Sequence, residues 1–473
     1  MAMNGHEGGV ADTARALRSG ALSSETLTRH LLERAEARQS LNAFMALQPD
    51  LALAQARAAD RALAAGEAPG PLHGVPLVLK DNIDAAGWPT TAGTPALADH
   101  RPPQDAPVVA ALRRAGALIL GKNPLHELAY GATGNNPCTG PSRNPYDPQR
   151  IPGGSSSGTA VAVAARLAPA GIGTDTGGSV RVPAALCGLF GFRPSAGRWP
   201  NAGIVPISGT RDTAGPLARH VEDLLLIDEV VTGDTATPTR PLSACRIGVP
   251  DAFFWEQLDP DVAERGRATL ETWRRQGVTL VEKPIPDLAT LLAPASMPLV
   301  FYEGIQDLRR YLADSGCGVT LNQVVEGTVS PDVHGLLAMM NDPQQGVPWE
   351  QYLDILRHRR PALITAYATY LAGNELDAMA FPTCPLTARA IGEDDTVQLN
   401  GEAVPTFPTL IRNTDPGSTA GLPGVTLPMG LDRSGLPMGI ALDALPGRDR
   451  VLLALARELQ NHLPETPPPA AAG

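Results

Sequence analysis

Apolar residues at helical spacing alternate along this chain with short continuous apolar runs, and this pattern predicts helices and buried strands in turn. Between Ser23 and Ala65, leucine and alanine recur at helical spacing behind two serines that can cap a helix. The run from His73 to Asp84 is short and apolar and carries a lysine, Lys80, which is typical of the end of a buried strand. A helix at 108–115 and a strand at 117–121 repeat the same order. Such alternation predicts an α/β fold.

The second half of the chain continues with the same kinds of element. The predicted elements are a turn at Arg211–Pro216, a helix at Val221–Val231, a Pro/Thr-rich linker at Thr232–Arg240, a strand at Arg246–Val249, a helix at Asp261–Gln276, a largely helical region at 285–370, a strand at Asp377–Pro382 and a closing helix at Leu452–Leu463. The tail that follows is expected to be disordered.

Composition narrows the class of protein. The chain has 473 residues, of which 43% are hydrophobic and 18% charged, as in a globular protein with a large core. The net charge of -11 argues against nucleic acid or an anionic membrane as the main partner. Five widely spaced cysteines argue against a disulfide framework or a thiolate zinc site. Because the N-terminus has no signal-like pattern and no stretch has ~18 uninterrupted apolar residues, we expect a soluble cytoplasmic protein.

The stretch from Pro152 to Pro183 concentrates the candidate chemistry. Two clusters of glycine and serine, Gly153–Gly158 and Gly177–Ser179, bracket an Ala/Val-rich segment that suits a buried helix. In the second cluster, two consecutive glycines allow the backbone N–H groups to converge on one point, which suits an oxyanion. Ser179 could attack a carbonyl whose developing charge falls among those N–H groups. Taken alone, the segment is also explained as an ordinary turn that Ser179 caps.

Lys80 is the second candidate. An exposed lysine has a pKa of ~10.4 and is a poor base at neutral pH, whereas burial and a neighbouring cation lower that pKa. A neutral amine can then accept a proton. The structural alternative is a lysine that pairs with Asp81 or Asp84, and the residues by themselves leave both roles open.

Other motifs suggest different chemistry. Gly154–Gly158 matches the G-x-S-x-G pattern of α/β-hydrolases, which would make Ser156 the nucleophile of an esterase, but no downstream histidine has a distinctive context. His126 is followed by Glu127 but not by the second histidine of a zinc protease, so we expect His126 to be structural. No glycine pattern supports nucleotide binding.

Together these residues resemble the amidase signature family. The resemblance rests on Lys80 after an apolar strand, on the Gly-Gly-Ser-Ser-Ser-Gly run around Ser155, and on the Asp-Thr-Gly-Gly-Ser-Val-Arg run that ends at Arg181. It implies a Ser-Ser-Lys triad in which Ser179 is the acyl nucleophile, Ser155 follows a cis peptide bond and relays the proton, and Lys80 is the neutral general base. Such a relay replaces a histidine.

The resemblance also implies the groups around this triad. The family's oxyanion hole matches the N–H groups of Thr176, Gly177, Gly178 and Ser179, and its supporting positions match Ser156, Asp175 and Arg181. The implied fold is α/β, with a mixed, mostly parallel central sheet flanked by helices on both faces. No metal or organic cofactor is required, and a homodimer is the expected assembly.

Within the family, the motifs around Cys187, Arg198, Arg211 and Arg412 look closest to the indoleacetamide and mandelamide hydrolases. The implied substrate is a small aryl-substituted amide, although related members cleave anilides, esters or carbamates. The residues proposed to line the pocket are Tyr130, Trp199, Phe301 and Tyr302. The chain departs most from the family pattern at 285–360. A glutaminase subunit of a tRNA-dependent amidotransferase is the alternative within the family, and it would need a partner protein.

One continuous domain is expected over 1–463. Its predicted parts are an N-terminal helical region that packs on the core (1–70), the catalytic core (71–240), a variable and largely helical substrate-pocket region (241–370) and a C-terminal part that completes the core (371–463), before a disordered tail (464–473).

Overall fold

The computed structural model describes residues 8–67 and 69–470 of the chain, so the ends of the predicted N-terminal region and of the tail lie outside the described residues. The strands are β1 Ala46–Leu47, β2 Pro76–Lys80, β3 Leu118–Asn123, β4 Ala170–Asp175, β5 Phe190–Arg193, β6 Thr213–Ala218, β7 Arg246–Val249, β8 Thr279–Glu282, β9 Ala378–Pro382, β10 Thr396–Leu399, β11 Glu402–Pro405, β12 Gly424–Leu431 and β13 Pro437–Asp443.

The helices include every long helix that the hydrophobic periodicity predicts. They are α1 Val10–Arg18, α2 Ser24–Ala37, α3 Pro49–Ala64, α4 Pro107–Arg114, α5 Ser157–Ala164, α6 Arg181–Leu186, α7 Val221–Thr232, α8 Asp251–Phe254, α9 Pro260–Arg275, α10 Leu288–Leu292, α11 Ser296–Asp314, α12 Leu321–Gly327, α13 Pro331–Asn341, α14 Trp349–Asp354, α15 Arg360–Gly373, α16 Thr406–Ile411, α17 Asp415–Ala420 and α18 Asp449–Gln460. A π-helical turn, Ile355–Arg359, joins α14 to α15.

Within the described residues, eleven strands form one sheet in the order β1-β3-β2-β4-β6-β5-β12-β13-β9-β7-β8, and β10 and β11 form a separate hairpin. Parallel pairing is concentrated in two blocks, in which β3 and β4 flank β2, and β8 and β9 flank β7. The strands between the two blocks pair antiparallel. The predicted α/β class with a mixed central sheet is confirmed.

Helices cover both faces of the sheet, and every position of β2 and β4 is buried. Side chains alternate across a strand. In β2, Val78 packs in the cluster that contains Val161 of α5, whereas Leu77 packs in the cluster that contains Val109 of α4. The same alternation puts Lys80 on the face of Val78, which is the face that α5 covers.

The predicted turn at Arg211–Pro216 is wrong, because Thr213–Ala218 form β6, which pairs antiparallel with β4. Gly215 allows the close approach of the neighbouring chain, since a Cβ there would lie 2.1 Å from the carbonyl oxygen of Phe192. The strand β5 pairs with β6 only through Phe190 and Gly191, which lie opposite Ala218 and Leu217, so the missing N–H of Pro216 costs no hydrogen bond on that side. Strand pairing therefore overrides the local turn preference of the Gly-Pro pair.

A second hydrophobic cluster lies beside the sheet and contains residues of α11, α12 and α13 together with Leu128 and Ile207. The stretch Leu288–Asp314 is long and apolar enough, by length and composition, to cross a membrane. Its residues Val300 and Leu308 nevertheless pack in this cluster. The stretch thus has the packing of a core helix.

Candidate active site

Lys80 ends β2 in a fully buried position and contacts two hydroxyl groups. Its Nζ lies 2.7 Å from Ser155 Oγ and 2.7 Å from Thr174 Oγ1. Asn82 Nδ2 donates to the same threonine hydroxyl oxygen at 3.1 Å. The lysine is therefore held between the segment that precedes α5 and the strand β4.

The two carboxylates close to Lys80 in sequence have other partners. Asp81 Oδ1 lies 3.2 Å from Nζ of Lys122. Asp84 Oδ1 accepts a hydrogen bond from the Tyr311 hydroxyl at 2.9 Å. Neither of them forms the ion pair with Lys80 that a purely structural lysine would have.

Burial changes the basicity of Lys80. It lowers the pKa of Lys80 to about 7, although the carboxylates of Asp175 and Asp212 oppose the shift. An amine with that pKa is about half neutral at pH 7, whereas an exposed lysine is neutral in fewer than about one molecule in a thousand. Lys80 can accept a proton at neutral pH.

The two serines before α5 are fully buried, and the peptide bond between Gly154 and Ser155 is cis. Ser156 Oγ donates to the carbonyl oxygen of Thr174 at 3.2 Å and accepts from its N–H at 3.3 Å. The N–H of Ser156 donates to the carbonyl oxygen of Ser179 at 3.2 Å. Ser156 therefore ties the start of α5 to β4 and to the turn that follows it.

The turn from Thr176 to Ser179 follows β4 directly. Gly178 has φ +139°, and a Cβ there would lie 2.2 Å from Thr414 Oγ1, so glycine is required. Among the described residues, no acceptor receives a hydrogen bond from the four N–H groups of 176–179. These N–H groups are free to receive an oxygen that carries negative charge.

Ser179 stands at the end of this turn with its side chain at the edge of a cavity. Its carbonyl oxygen is held by Ser156, but no hydrogen bond joins its hydroxyl to that of Ser155 in this structure. The structure thus brings Lys80 and Ser155 into direct contact and leaves the hydroxyl of Ser179 open to a ligand.

Charged groups brace the turn from behind. Arg181 donates to both oxygens of Asp175 at 3.1 Å, and Arg193 Nη1 donates to Oδ1 of the same residue at 3.1 Å. Burial opposes ionisation of Asp175, but the two guanidinium charges outweigh it and hold its pKa below the usual range. Arg181 also donates to Ser418 Oγ at 2.6 Å. The buried ion pair of Asp175 and Arg181 therefore connects the turn to α17, because Arg181 also donates to Ser418 of that helix.

Sequence reasoning missed several residues that contact this site. Thr174 binds Lys80, and Asp212 accepts a hydrogen bond from Thr176 Oγ1 at 2.5 Å. Arg211 Nε donates to the carbonyl oxygen of Thr176 at 3.2 Å. Two adjacent charged residues beside a short apolar run, Arg211 and Asp212, were a signal that could have pointed to this site, although a turn was predicted there.

An apolar cavity of about 480 Å³ borders Ser179. The residues that line it are Ala129, Tyr130, Thr176, Gly177, Ser179, Ile207, Arg211, Phe253, Leu292, Ala293, Ser296, Met297, Val300, Phe301, Leu336, Phe407, Pro408, Ile411, Arg412 and Asp415. Arg211 joins three of its polar lining residues, since it donates to Thr176, Ser296 and Asp415, and most of the other lining residues are aliphatic or aromatic. Such a cavity suits a small ligand with one polar group and an apolar body.

Two of the four aromatic residues predicted to line a pocket, Tyr130 and Phe301, border this cavity. Trp199 and Tyr302 do not. Trp199 is buried in the main hydrophobic core. The ring of Tyr302 stacks on that of Tyr352, with 4.0 Å between centroids. Both residues are therefore removed from the predicted pocket lining.

Metal ligands are not grouped near this cavity. In the part of the chain that the structure describes, no three histidine, cysteine or acidic residues are placed to hold a metal ion. His126, which was predicted to be structural, contacts Asp332 Oδ2 through Nε2 at 3.1 Å and is 2% exposed.

Comparison with known proteins gives the family. The sequence pattern of the amidase family matches residues 26–453. An indoleacetamide hydrolase of Agrobacterium vitis is 43% identical over 95% of this chain and 96% of its own length. A mandelamide hydrolase of Pseudomonas putida is 38% identical over 98% of this chain and 93% of its own. A crystal structure of an amidase has a TM-score of 0.85 at 34% identity, with 96% of this chain and 100% of that one covered.

The chain belongs to the amidase family, as the motifs around Lys80, Ser155 and Arg181 predicted. It is an enzyme of the amidohydrolase class, and amides are its substrates.

Proposed function

We propose that this enzyme hydrolyses small aryl-substituted amides through an acyl-enzyme on Ser179. The observation that carries the proposal is the fully buried Lys80, which has a pKa of about 7 and lies 2.7 Å from Ser155 Oγ. Among the residues that the structure describes, Lys80 has no ion-pair partner within reach, so an ion pair does not explain its burial and a perturbed basicity suits a functional role. The four N–H groups of 176–179, which have no hydrogen-bond acceptor among the described residues, lie beside Ser179 at the edge of the cavity and support the same chemistry.

Proton transfer in this mechanism runs from Ser179 to Ser155 to Lys80. As Ser179 Oγ attacks the carbonyl carbon of the amide, Ser155 takes its proton and passes its own proton to neutral Lys80. Substrate binding brings the two serine hydroxyls within hydrogen-bond distance, since such contacts are often open in the free enzyme. The N–H groups of 176–179 stabilise the negative charge on the carbonyl oxygen.

Collapse of the tetrahedral intermediate breaks the C–N bond. The proton on Lys80 returns through Ser155 to the leaving nitrogen, and ammonia or an amine departs. Water then attacks the ester on Ser179 with the same relay as base and releases the acid. Neither half of the reaction needs a metal or an organic cofactor.

The proposed substrate class follows from the cavity and from the relatives. Phe253, Phe301 and Phe407 are among the residues that border the cavity, and they suit a flat apolar group. The two relatives are named for indoleacetamide and mandelamide, both small amides with an aryl group. Anilides and esters with the same acyl group are further candidates, because they give the same acyl-enzyme. Carbamates are also candidates, but they would leave an alkoxycarbonyl or carbamoyl group on Ser179.

Mass spectrometry of the protein after reaction with a fluorophosphonate, with peptide mapping of the adduct, tests the nucleophile. We expect the adduct on Ser179 and none on a Ser179→Ala protein. An adduct on Ser156 would contradict the proposal and favour an α/β-hydrolase mechanism.

Turnover of arylacetamides should rise with pH through about 7 as Lys80 loses its proton, and a rate that is flat down to pH 5 would exclude Lys80 as base.

The glutaminase alternative is tested with the purified chain alone. A glutaminase subunit depends on its partner protein, whereas the proposed enzyme should turn over phenylacetamide or indoleacetamide without one. Glutamine turnover that exceeds arylacetamide turnover would overturn the proposed substrate class.

A further inference from the structure

Asp212 is a buried carboxylate that joins two segments of the chain. Its Oδ1 accepts a hydrogen bond from Thr176 Oγ1 at 2.5 Å. Its Oδ2 accepts from the N–H groups of Ile207 and Ser208 at 2.8 and 2.9 Å. All three donors are uncharged, so the negative charge of Asp212 is solvated by hydrogen bonds and not cancelled by a cation.

The contact between Asp212 and Thr176 forms part of the wall between two cavities. Thr176 borders the apolar cavity at Ser179. Asp212 borders a second cavity of about 410 Å³, which Asp84 and Asp307 also line. Asp212 can therefore exchange protons with solvent on one side while it contacts the catalytic turn on the other.

Two carboxylates act on Lys80, and strand pairing brings both near it. Asp175 follows Thr174, whose hydroxyl lies 2.7 Å from Lys80 Nζ, and Asp212 precedes Thr213, which pairs with Asp175. Asp175 has the larger effect on Lys80, but its charge is shared with two arginines, Arg181 and Arg193. Asp212 has no such counter-charge among its hydrogen-bond donors. Burial raises the pKa of Asp212 to about 6 against the three hydrogen bonds, so the group is mostly ionised at pH 7.

We infer that Asp212 is a positioning residue with two separable effects: it holds Thr176 at the start of the N–H-lined turn, and its negative charge favours the protonated form of Lys80. The inference rests on the proposed role of Lys80 as base. Asp212 therefore acts on the turn through Thr176 and on the proton relay through its charge, and it needs no contact with the substrate for either effect.

Asp212→Asn removes the charge and keeps the contacts. The amide oxygen can accept from Ile207 and Ser208, and the amide nitrogen can donate to the hydroxyl oxygen of Thr176. We expect the acid limb of the kcat/KM profile to move to lower pH by roughly 0.5–1 unit, because loss of a nearby negative charge disfavours protonated Lys80. Asp307→Asn removes a charge from the same second cavity and should leave that midpoint in place.

Thr176→Val removes the hydroxyl contact and keeps the charge. We expect kcat to fall about tenfold with KM changed less than about twofold, because the turn that receives the transition-state charge loses its fixed position. The pH midpoint should stay where it is in the wild type, and Thr176→Ser, which restores the hydroxyl, should recover most of kcat.

Two results would overturn the inference: an Asp212→Asn protein with the wild-type midpoint, or a midpoint that moves equally in Asp307→Asn. If Asp212→Asn turns over too slowly to assay, the pH dependence of its labelling by a fluorophosphonate gives the midpoint. Failure of the proposed function would look different. Normal turnover by a Lys80→Ala protein would show that Lys80 is not the base and would refute the proposed mechanism. The comparison of Thr176→Val with Thr176→Ser would still test whether Asp212 positions the turn.

Discussion

Replacing Lys80 by methionine should abolish turnover and also stabilise the folded protein at pH 7. Methionine fills a similar volume without a charge and adapts to irregular packing. In the proposed mechanism turnover requires the Nζ that lies 2.7 Å from Ser155 Oγ, so we expect kcat to fall by about a thousandfold or more.

The gain in stability comes from the cost of burying an amine in its neutral form. The pKa of Lys80 falls from 10.5 to about 7 in the folded protein. At pH 7 this difference costs roughly 4 kcal/mol of the free energy of unfolding. The hydrogen bonds to Ser155 and Thr174 offset about 1 kcal/mol each. Methionine should therefore raise the free energy of unfolding by about 2 kcal/mol.

The effect should depend on pH with a defined sign. Between pH 7 and 10.5 the unfolded chain binds the lysine proton and the folded protein does not, so wild-type stability rises with pH in this window. The advantage of Lys80→Met should shrink over the same range, which thermal unfolding of both proteins at a series of pH values would measure.

Lys122→Met is the matched control. Lys122 is equally buried, but its Nζ lies 3.2 Å from Asp81 Oδ1 and donates to the carbonyl oxygen of Ile83 at 2.8 Å. Its loss should destabilise the protein by about 3 kcal/mol or more, because the buried carboxylate of Asp81 loses its partner. A Lys80→Met protein that is less stable than the wild type at pH 7, by a margin that does not change up to pH 10, would refute the reasoning.

Three further predictions concern the turn and its supports. Ser179→Ala should abolish turnover of arylacetamides, whereas Ser156→Ala should reduce turnover and still allow fluorophosphonate labelling of Ser179. Arg181→Met should destabilise the protein by about 3–5 kcal/mol in chemical denaturation, because it leaves the Asp175 carboxylate without its bidentate partner. Burial raises the pKa of Asp443 to about 7. Between pH 4 and 7 this carboxyl is therefore ionised in the unfolded chain but protonated in the folded protein, so its contribution to the free energy of unfolding falls as pH rises. Asp443→Asn should remove that contribution in thermal unfolding.

The groups that sequence could identify have local signals. Lys80 follows a short apolar run, and the turn from Thr176 to Ser179 contains a Gly-Gly pair, so residue type and neighbours suffice to mark both. The contacts of Thr174 and Asp212 depend instead on strand pairing. Asp212 contacts Thr176 because β6 runs antiparallel to β4 and begins opposite Asp175. The Gly-Pro pair in β6 is typical of a turn, so the local sequence does not predict this strand pairing.

Pocket residues were harder to predict for a geometric reason. Phe301 and Tyr302 are neighbours in α11, and successive residues of a helix point about 100° apart. Phe301 therefore reaches the cavity while Tyr302 stacks on Tyr352 outside it. Trp199 lies close in sequence to the catalytic core motifs but packs in the main hydrophobic core. A tryptophan suits a pocket wall and a hydrophobic core equally well, so its residue type does not distinguish the two positions.

The base of the proposed proton relay, with the threonine that holds it, and a large part of the wall of the apolar cavity come from different parts of the chain. Lys80 and Thr174 belong to the sheet, whereas Met297, Phe301 and Leu336 of the wall belong to the helical layer beside it. Natural selection can therefore alter the helices and change which acyl group enters, without a change in the residues that break the bond. A chimera that carries the segment 288–341 of another family member would inherit that member's choice of acyl group and keep this protein's proton relay.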